Sequence, residues 1–354
     1  MVHDNKMILK GLNVEELKSW CIDNNLSRFR ADQIYEWLYL HGVNNPDKMG
    51  NLSKKCRDAI HNTQSLSTLK LISKTVSENK QTVKYLFQTT DSYLLEAVSM
   101  ITESNRHTVC VSSQSGCNLG CDFCATAKMG LLKNLSAGEI IDQLIMIRRL
   151  SNTRIDNVVY MGMGEPFLNY SNVIKSAKIL NNQKGFNISV NKITISTVGI
   201  VSKIKKFIQD EERFGLAISL NASNDNVRDI IMPINKKWSI QDLIEVNKSY
   251  VKKNKRKRIT FEYVLMDGVN SSSEDAIGLS KILQSAKCKV NIIPYNETDG
   301  KYKRPSDGII NKFIKTLSLN NKNNNFQIMV RWSNGLDIDA GCGQLVIKNN
   351  NIGD

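Results

Sequence analysis

Three cysteines at C-x3-C-x2-C spacing organise this sequence, within the stretch Gln114-Ser115-Gly116-Cys117-Asn118-Leu119-Gly120-Cys121-Asp122-Phe123-Cys124-Ala125-Thr126. Thiolates are the usual ligands of iron–sulfur clusters, so three on one loop can hold three irons of a cubane and leave the fourth for a substrate. Gly116 and Gly120 allow a tight loop because glycine tolerates positive φ. Phe123 would cover the cluster. The stretch therefore predicts a cluster-binding loop.

Other uses of these cysteines fit the sequence less well. A structural zinc site usually needs four ligands in two knuckles, and a second C-x2-C is missing from the sequence. A disulfide framework is not expected in a chain of 354 residues that begins without an apolar signal segment. The sequence also lacks an apolar run of about 18 residues, so no membrane span is expected. These features predict a cytosolic protein, in which thiols stay free.

The composition limits the size of the domains and the classes of partner that the protein is expected to bind. A chain of 354 residues with 41% hydrophobic residues can form one large domain and a small one. The net charge is +14, with a pI near 9.3. Such a basic excess favours a polyanionic partner, most simply a nucleic acid. A lysine- and asparagine-rich composition bias explains the charge equally simply, so charge alone does not identify the partner.

Residues 1–65 are predicted to form an N-terminal helical accessory domain. Asn13 and Glu16 form a capping box for the first helix. The second helix is expected from about Arg30 and the third after Ser53. Basic residues surround these helices and could dock RNA, but taken alone they favour ordinary solvated faces.

Residues 66–104 change to strand character and are predicted to form a small β meander that connects the two domains. Three short β-prone stretches, 69–76, 82–88 and 93–99, are separated by polar turns. Glu96 lies in the third. For a lone acid in an apolar strand, this pattern favours an outward-facing side chain.

From residue 108 onward, β-prone stretches alternate with helical ones. Strands are predicted at residues 108–112, 157–161, 192–196, 214–219, 259–265 and 290–294. Helices are predicted at residues 136–150, 170–181, 201–209, 239–253, 273–286 and 306–317. This alternation is typical of a parallel sheet with helices outside, and six units predict a partial α/β barrel. The barrel with its C-terminal cysteine loop is assigned to residues 105–345, and residues 346–354 to a tail.

Small and polar residues recur where the predicted barrel strands end. The cysteine loop follows the first strand, and Met161-Gly162-Met163-Gly164-Glu165-Pro166 follows the second. Ser196, Ser219-Leu220-Asn221-Ala222 and Pro294-Tyr295-Asn296 occupy corresponding places. The carboxyl ends of parallel strands form one rim, at which ligands bind. These segments therefore predict one ligand site.

Two further segments leave alternatives open. The basic run 252–258 stands at the end of a predicted helix, where it either lies in solvent or contacts phosphates. Near the C-terminus, Cys342 lies between Gly341 and Gly343, so a tightly bent loop exposes its thiol, or the cysteine is incidental.

Together these residues resemble the adenine-C2 RNA methyltransferases of the radical S-adenosylmethionine (SAM) superfamily, the RlmN type. The resemblance covers nearly the whole chain and is most specific at residues 111–117, 161–166 and 337–345. It implies a partial α/β barrel of the radical SAM type with an N-terminal helical domain. The implied targets are one adenine of 23S ribosomal RNA in the peptidyl transferase centre and, in many members, the adenine beside a tRNA anticodon.

The resemblance also implies roles for individual residues. Cys117, Cys121 and Cys124 would hold one 4Fe–4S cluster. Cys342 would carry the methyl group, Cys110 would be the second catalytic cysteine, and Glu96 the proton acceptor. The SAM contacts would be Gly164, Glu165, Ser196, Ser219, Leu220, Asn221 and Asn296.

The implied reaction uses two SAM molecules per turnover and a covalent protein–RNA intermediate, which Cys110 resolves by forming a disulfide with Cys342. An electron donor such as flavodoxin or ferredoxin is expected, and the protein is expected to be a monomer. Three departures from the family pattern stand out: Asn221 replaces the usual histidine, Gly341 replaces an alanine, and an asparagine-rich loop at residues 320–325 lengthens the C-terminal part.

Two alternative functions remain at this stage. The first is methylation of carbon 8 of the same adenine, which uses the same cysteines; Gly164-Glu165-Pro166 and Ile293-Pro294-Tyr295-Asn296 look closer to the carbon-2 type. The second is a non-enzymatic iron–sulfur protein that binds RNA or assists ribosome assembly. Such a factor would need neither Cys110 nor Cys342.

Overall fold

One ten-stranded sheet dominates the computed structural model, which describes residues 8–63, 66–254, 257–298 and 300–347. In the described residues the strands are β1 (Leu69–Val76), β2 (Thr82–Thr89), β3 (Leu94–Ile101), β4 (His107–Cys110), β5 (Gln114–Cys117), β6 (Gly130–Asn134), β7 (Asn157–Tyr160), β8 (Ile193–Thr197), β9 (Gly215–Ser219), β10 (Thr260–Leu265), β11 (Cys288–Pro294) and β12 (Phe326–Val330). The sheet order is β1-β2-β3-β4-β7-β8-β9-β10-β11-β12, and β5 and β6 pair separately.

Ten α-helices are present in the described residues, and seven of them begin at a side-chain cap. They are α1 (Val14–Asp23), α2 (Arg30–Tyr35), α3 (Lys54–His61), α4 (Ala137–Ser151), α5 (Tyr170–Asn181), α6 (Val201–Gln209), α7 (Asp225–Ile231), α8 (Ile240–Lys253), α9 (Ser273–Gln284) and α10 (Asp307–Asn320). Capping boxes at Asn13 with Glu16 and at Ser136 with Glu139 are both present, as the sequence predicts. Each satisfies backbone N–H groups that would otherwise be unpaired at the helix start.

The parallel part contains the six predicted strand–helix units and ends with a seventh strand. Neighbouring strands from β4 and β7 through to β12 are all parallel. Between β9 and β10 the chain forms two helices, α7 and α8, of which the sequence predicts only the second. The arrangement confirms the α/β partial-barrel prediction, with β12 as an additional edge strand.

The meander is part of the barrel sheet. β1, β2 and β3 pair antiparallel, and β3 then pairs antiparallel with β4 in the register Val98 opposite Cys110. The sequence predicts the three strands but not this pairing, which lies between segments separated by a turn at residues 102–106. The pairing places β3 next to the first barrel strand, so residues of the meander can reach the carboxyl-end rim.

The N-terminal helices pack on α4 through buried polar contacts. The Lys10 ammonium group lies 2.6 Å from the Asp142 carboxylate, and both side chains are buried. Tyr39 accepts a hydrogen bond from the Gly11 amide and donates one to the Leu12 carbonyl. Apolar side chains of α1 to α3 belong to the same buried cluster as those of the barrel.

The cysteine stretch starts in a hairpin. β5 pairs with β6 antiparallel, and the cluster-binding loop lies between them. Gly116 has φ +73°, and a Cβ there would lie 1.9 Å from the Gly130 carbonyl oxygen. A glycine at 116 is therefore required, which agrees with the expected tight loop.

None of the helices in the described ranges is long and apolar enough to cross a membrane. The domain boundaries after residues 65, 104 and 345 stay a prediction. Of the tail, residues 348–354 lie outside the described residues.

Candidate active site at the carboxyl ends of the barrel strands

A cavity with about 940 Å³ of empty space opens at the carboxyl ends of the parallel strands. Nine of the thirteen predicted site residues line it: Cys117, Cys121, Cys124, Gly164, Glu165, Ser196, Ser219, Asn221 and Cys342. Glu96, Cys110, Leu220 and Asn296 are not among the lining residues. The structure thus brings together segments that lie up to 225 positions apart in the chain (342 − 117).

The three cysteines of the loop form one electrostatically coupled group. Burial raises the pKa of Cys117 to about 11 and also raises the pKa of Cys121, and a charge on Cys124 raises both further. In the described part of the chain, no three His, Cys, Asp or Glu side chains converge on a single metal ion. Three separated thiols that border one cavity fit a cubane, because each thiol binds a different iron.

Hydrogen bonds join the cysteine loop to the C-terminal loop. The Ala125 amide donates to the Gly343 carbonyl at 2.8 Å, and the Thr126 hydroxyl donates to the Leu345 carbonyl at 2.5 Å. Asp122 accepts hydrogen bonds from Tyr302 and Lys301. These contacts place Cys342 beside the cluster-binding loop.

Arg228, which the sequence analysis did not single out, ties three rim segments together. Its guanidinium group is fully buried and donates to the carbonyls of Val198, Ser219, Leu220 and Trp238 and to the Asn235 side chain. Burial lowers its pKa to about 10, so it stays charged at neutral pH. Arg228 belongs to no recognised sequence motif, so its role is apparent only from its contacts in the structure.

Glu165 bridges two neighbouring loops. One carboxylate oxygen accepts from the Phe167 amide and the other from the Val198 amide, both at 2.9 Å. Burial raises its pKa to about 7, and these hydrogen bonds oppose the rise. With the Glu165 carboxylate occupied in this way, the residue shapes the cavity wall next to Gly164.

The three residues of segment 219–221 differ in whether their side chains reach the cavity. Ser219 borders the cavity, whereas the Leu220 side chain is fully buried in the core. The Asn221 side chain accepts from the Val264 amide at 2.9 Å and contacts the Met232 sulfur at 3.2 Å. The Asn221 side chain, which the sequence analysis identifies as a departure from the expected pattern, therefore forms its hydrogen bonds within the protein.

Cys110 and Cys342 both lie in surroundings that disfavour the thiolate. Burial raises the pKa of Cys110 to about 12, and a charge on Cys342 contributes to the rise. Cys342 is exposed by surface area but lies within the cavity recess, where burial raises the pKa of its thiol to about 11. Both are free thiols.

Asn296 supports the Cys342 loop. Its amide nitrogen donates to the Cys342 carbonyl at 3.1 Å, while its buried amide oxygen has no protein partner within the described ranges. A Cβ at Gly341 would lie 2.6 Å from that amide nitrogen. Glycine in place of the usual alanine thus leaves room for Asn296, whose free oxygen could accept a hydrogen bond from a ligand.

Glu96 faces inward, so the expectation from the strand pattern of an outward side chain is wrong. The residue is only 2% exposed; its carboxylate accepts from the Val346 amide at 2.9 Å and lies 3.3 Å from the Lys84 ammonium group. Burial raises its pKa, and Lys84 opposes that rise. The side chain is buried because β3 lies inside the sheet and the C-terminal segment covers it.

Two charged residues on the cavity wall were missed by sequence reasoning. Glu262 on β10 and Arg331, directly after β12, both line the cavity. Glu262 is a lone charge within an apolar strand, and Arg331 directly follows one. That signal is visible in Thr260-Phe261-Glu262-Tyr263-Val264 but fits an exposed residue as well.

Family comparisons agree with this geometry. Residues 111–279 match the family described as "Radical SAM superfamily", and residues 7–66 match "Ribosomal RNA large subunit methyltransferase N-terminal domain".

Individual relatives are similar over nearly the full chain. A "Probable dual-specificity RNA methyltransferase RlmN" of Pseudothermotoga lettingae is 42% identical over 92% of this chain and 93% of its own length. The protein of that name from Thermotoga maritima is 42% identical over 96% and 97%. A crystal structure of a radical SAM methyltransferase from Sphaerobacter thermophilus superimposes with a TM-score of 0.90 at 38% identity, covering 96% of this chain and 99% of the other.

Proposed function

This chain belongs to the RlmN family of radical SAM RNA methyltransferases, and we propose that it methylates carbon 2 of one adenine in the peptidyl transferase centre of 23S rRNA and of the adenine 3′ of the anticodon in some tRNAs. Membership of the radical SAM superfamily implies a 4Fe–4S cluster and SAM. The observation that carries the proposal is the position of Cys342. Its thiol shares a cavity with the three-cysteine loop, and a charge on Cys342 contributes to the raised pKa of Cys110 on the first parallel strand.

The cavity residues fit both groups. Cys117, Cys121 and Cys124 would hold the cluster, since their thiols border one cavity without converging on a single point. The SAM contacts would be Gly164, Glu165, Ser196, Ser219, Leu220, Asn221 and Asn296. Leu220 can contribute only its backbone, because its side chain is buried in the core. Bound together, cluster and SAM supply one-electron chemistry that can activate an unreactive C–H bond.

The protein's own residues would carry the methyl group and release the product. Cys342 would take a methyl group from one SAM and release its thiol proton. After one hydrogen atom is removed from that methyl group, the carbon would bond to adenine C2, and one electron and the C2 proton would leave the adduct. The Cys110 sulfur then bonds to the Cys342 sulfur. The bond between the Cys342 sulfur and the transferred carbon breaks, and that carbon keeps the electron pair and gains a proton. A cellular reductant must reopen the disulfide before the next turnover.

Glu96 would accept the proton from adenine C2. Burial raises its pKa, which makes the carboxylate a better proton acceptor at neutral pH than an exposed glutamate. Its hydrogen bond to Val346 places it next to Leu345, which lines the cavity. Lys84, 3.3 Å away, stabilises the ionised form before the transfer.

The proposed partners follow from charge and chemistry. The net charge of +14 suits an RNA substrate. The reaction needs a one-electron donor such as flavodoxin or ferredoxin. We place the protein in the cytoplasm, where ribosomal RNA and free thiols are available. We expect it to act as a monomer.

Mapping of modified adenines tests the proposal. RNA from cells with and without this protein is digested and analysed by mass spectrometry. Loss of 2-methyladenosine from 23S rRNA and tRNA in the deletion strain is expected. Loss of 8-methyladenosine instead would assign the carbon-8 reaction. An unchanged pattern, together with no conversion of SAM to 5′-deoxyadenosine in vitro, would indicate a non-enzymatic factor.

A further inference from the structure

A buried carboxylate stands on the cavity wall with one oxygen available. Glu262 is 7% exposed and lines the cavity. Its Oε2 accepts from the Asn291 side chain at 2.9 Å, which is the only hydrogen bond to this carboxylate among the described residues. Because Glu262 and Asn291 are register partners on β10 and β11, the strand pairing holds this orientation. A buried carboxylate that is held in place but accepts a hydrogen bond at only one of its two oxygens is expected to accept another from a ligand.

Arg331 provides the complementary group. It lines the same cavity, and its backbone amide is anchored to the Ile292 carbonyl at 2.9 Å. Within the described residues it forms no salt bridge with Glu262, and its one side-chain hydrogen bond is a weak one to the Met161 sulfur at 3.5 Å. Burial raises the pKa of Glu262, and the Arg331 charge and the Asn291 hydrogen bond oppose that rise.

The position relative to Cys342 assigns this pair to the RNA base. Glu262, Arg331 and Cys342 line the same cavity. The proposed function requires the target base to approach the carbon carried by Cys342, so groups around that thiol face the base.

We propose that Glu262 and Arg331 recognise the Watson–Crick edge of the substrate adenine, with Glu262 accepting a hydrogen bond from the N6 amino group and Arg331 donating one to N1. This inference rests on the proposed function. Adenine presents a donor at N6 and an acceptor at N1, next to carbon 2, so an acceptor–donor pair matches it. Guanine presents an acceptor at position 6, which the Glu262 carboxylate would repel.

The test measures base discrimination by binding. The reconstituted protein is titrated with a 23S rRNA fragment that carries adenine, or purine without the 6-amino group, at the target position. Wild type should bind the adenine RNA about 10-fold more tightly, since the purine leaves a buried carboxylate unpaired. In Glu262→Leu the ratio should fall to about 1. Glu212→Gln is the matched control, because Glu212 is also 7% exposed but pairs with Lys178 outside the cavity, and it should keep the wild-type ratio.

A second arm tests Arg331. Replacing the target adenine with 1-deazaadenine, which lacks N1, should weaken wild-type binding about 10-fold and should leave Arg331→Leu unaffected. If Glu262→Leu does not fold, Glu262→Gln serves instead: its amide can donate to the guanine oxygen, so discrimination against guanine RNA should relax.

Three results would overturn the inference. The first is a wild-type protein that binds the purine RNA as tightly as the adenine RNA. The second is that Glu262 variants keep the full wild-type discrimination between these RNAs. The third is a Glu262 variant that loses SAM affinity in the absence of RNA while its base discrimination is unchanged. The proposed function fails separately, if wild type with SAM and reductant leaves carbon 2 unmethylated although the binding ratios hold.

Discussion

The buried side chain of Cys110 could serve either in core packing or in catalysis. It lies in β4 with a thiol whose pKa burial raises to about 12. A packing role alone would allow alanine at modest cost in stability. The proposed mechanism instead requires the Cys110 sulfur to reach the Cys342 sulfur, so that loss of the Cys110 thiol would stop product release.

We predict that Cys110→Ala accumulates a covalent protein–RNA adduct through Cys342. Without the Cys110 thiol, nothing would displace the Cys342 sulfur from the transferred carbon. The adduct is measured as a shifted band on a denaturing gel that ribonuclease collapses.

Two controls accompany this variant. Cys288→Ala removes another buried strand cysteine, one outside the cavity, and should turn over without adduct. Cys110→Ala combined with Cys342→Ala should also show none. Normal turnover by Cys110→Ala would contradict the two-cysteine mechanism, even with the cluster assignment intact.

At the level of elements, the interface between the N-terminal helices and α4 depends on a close backbone approach. A Cβ on Gly138 would lie 2.4 Å from the Lys10 carbonyl oxygen, which is backbone and cannot yield like a flexible side chain. The buried ion pair between Lys10 and Asp142 lies in the same interface.

We predict that Gly138→Ala lowers the free energy of unfolding by about 2 kcal/mol, because the clash forces the N-terminal segment away and weakens that ion pair. Denaturant unfolding measures the change. Gly308→Ala is matched, since Gly308 is likewise the second residue of a helix, α10, but its nearest neighbouring atom is 3.9 Å away. It should be neutral or stabilising by about 0.5 kcal/mol. Equal effects at both positions would refute the close-approach explanation.

At the level of the whole molecule, topology decides which cations can meet RNA near the site. The described residues of the basic run, 252–254 and 257–258, precede β10, so they lie at the amino ends of the strands, opposite the cavity. Lys255 and Arg256 are outside the described residues. Lys253 and Lys257 donate to the protein's own carbonyls at Ile208 and Arg213. This placement favours the solvent alternative for the run.

We predict that RNA affinity falls steeply with salt and that the slope depends on cations near the cavity. Lys303 and Arg304 belong to the loop after β11, and residues of that loop contact Asp122 and Gln344 beside the cysteine loops. Neutralising both to glutamine should reduce the slope of log K against log salt by about 1.4. Neutralising Lys252 and Arg258 removes the same charge at the opposite end and should leave the slope unchanged. Equal changes would mean that binding depends only on net charge.

The sequence by itself determined the features that are local in the chain. The three-cysteine spacing, both capping boxes and six strand–helix units depend on neighbours within a few positions, because thiol spacing, helix caps and side-chain periodicity act over that range. These features were enough for the fold class, and the family resemblance supplied the nine predicted residues that share one cavity.

The tertiary structure decided what depends on distant partners. Glu96 is buried because β3 pairs with β4 and Val346 covers it, and local pattern alone could not distinguish that position from an exposed one. Arg228 acts through carbonyls of separate rim loops. Glu262 on β10 and Arg331 after β12 border the same cavity because both strands pair with β11 in one sheet. Long-range strand pairing sets which lone charges point inward, and that pairing is not written in any short stretch of the chain.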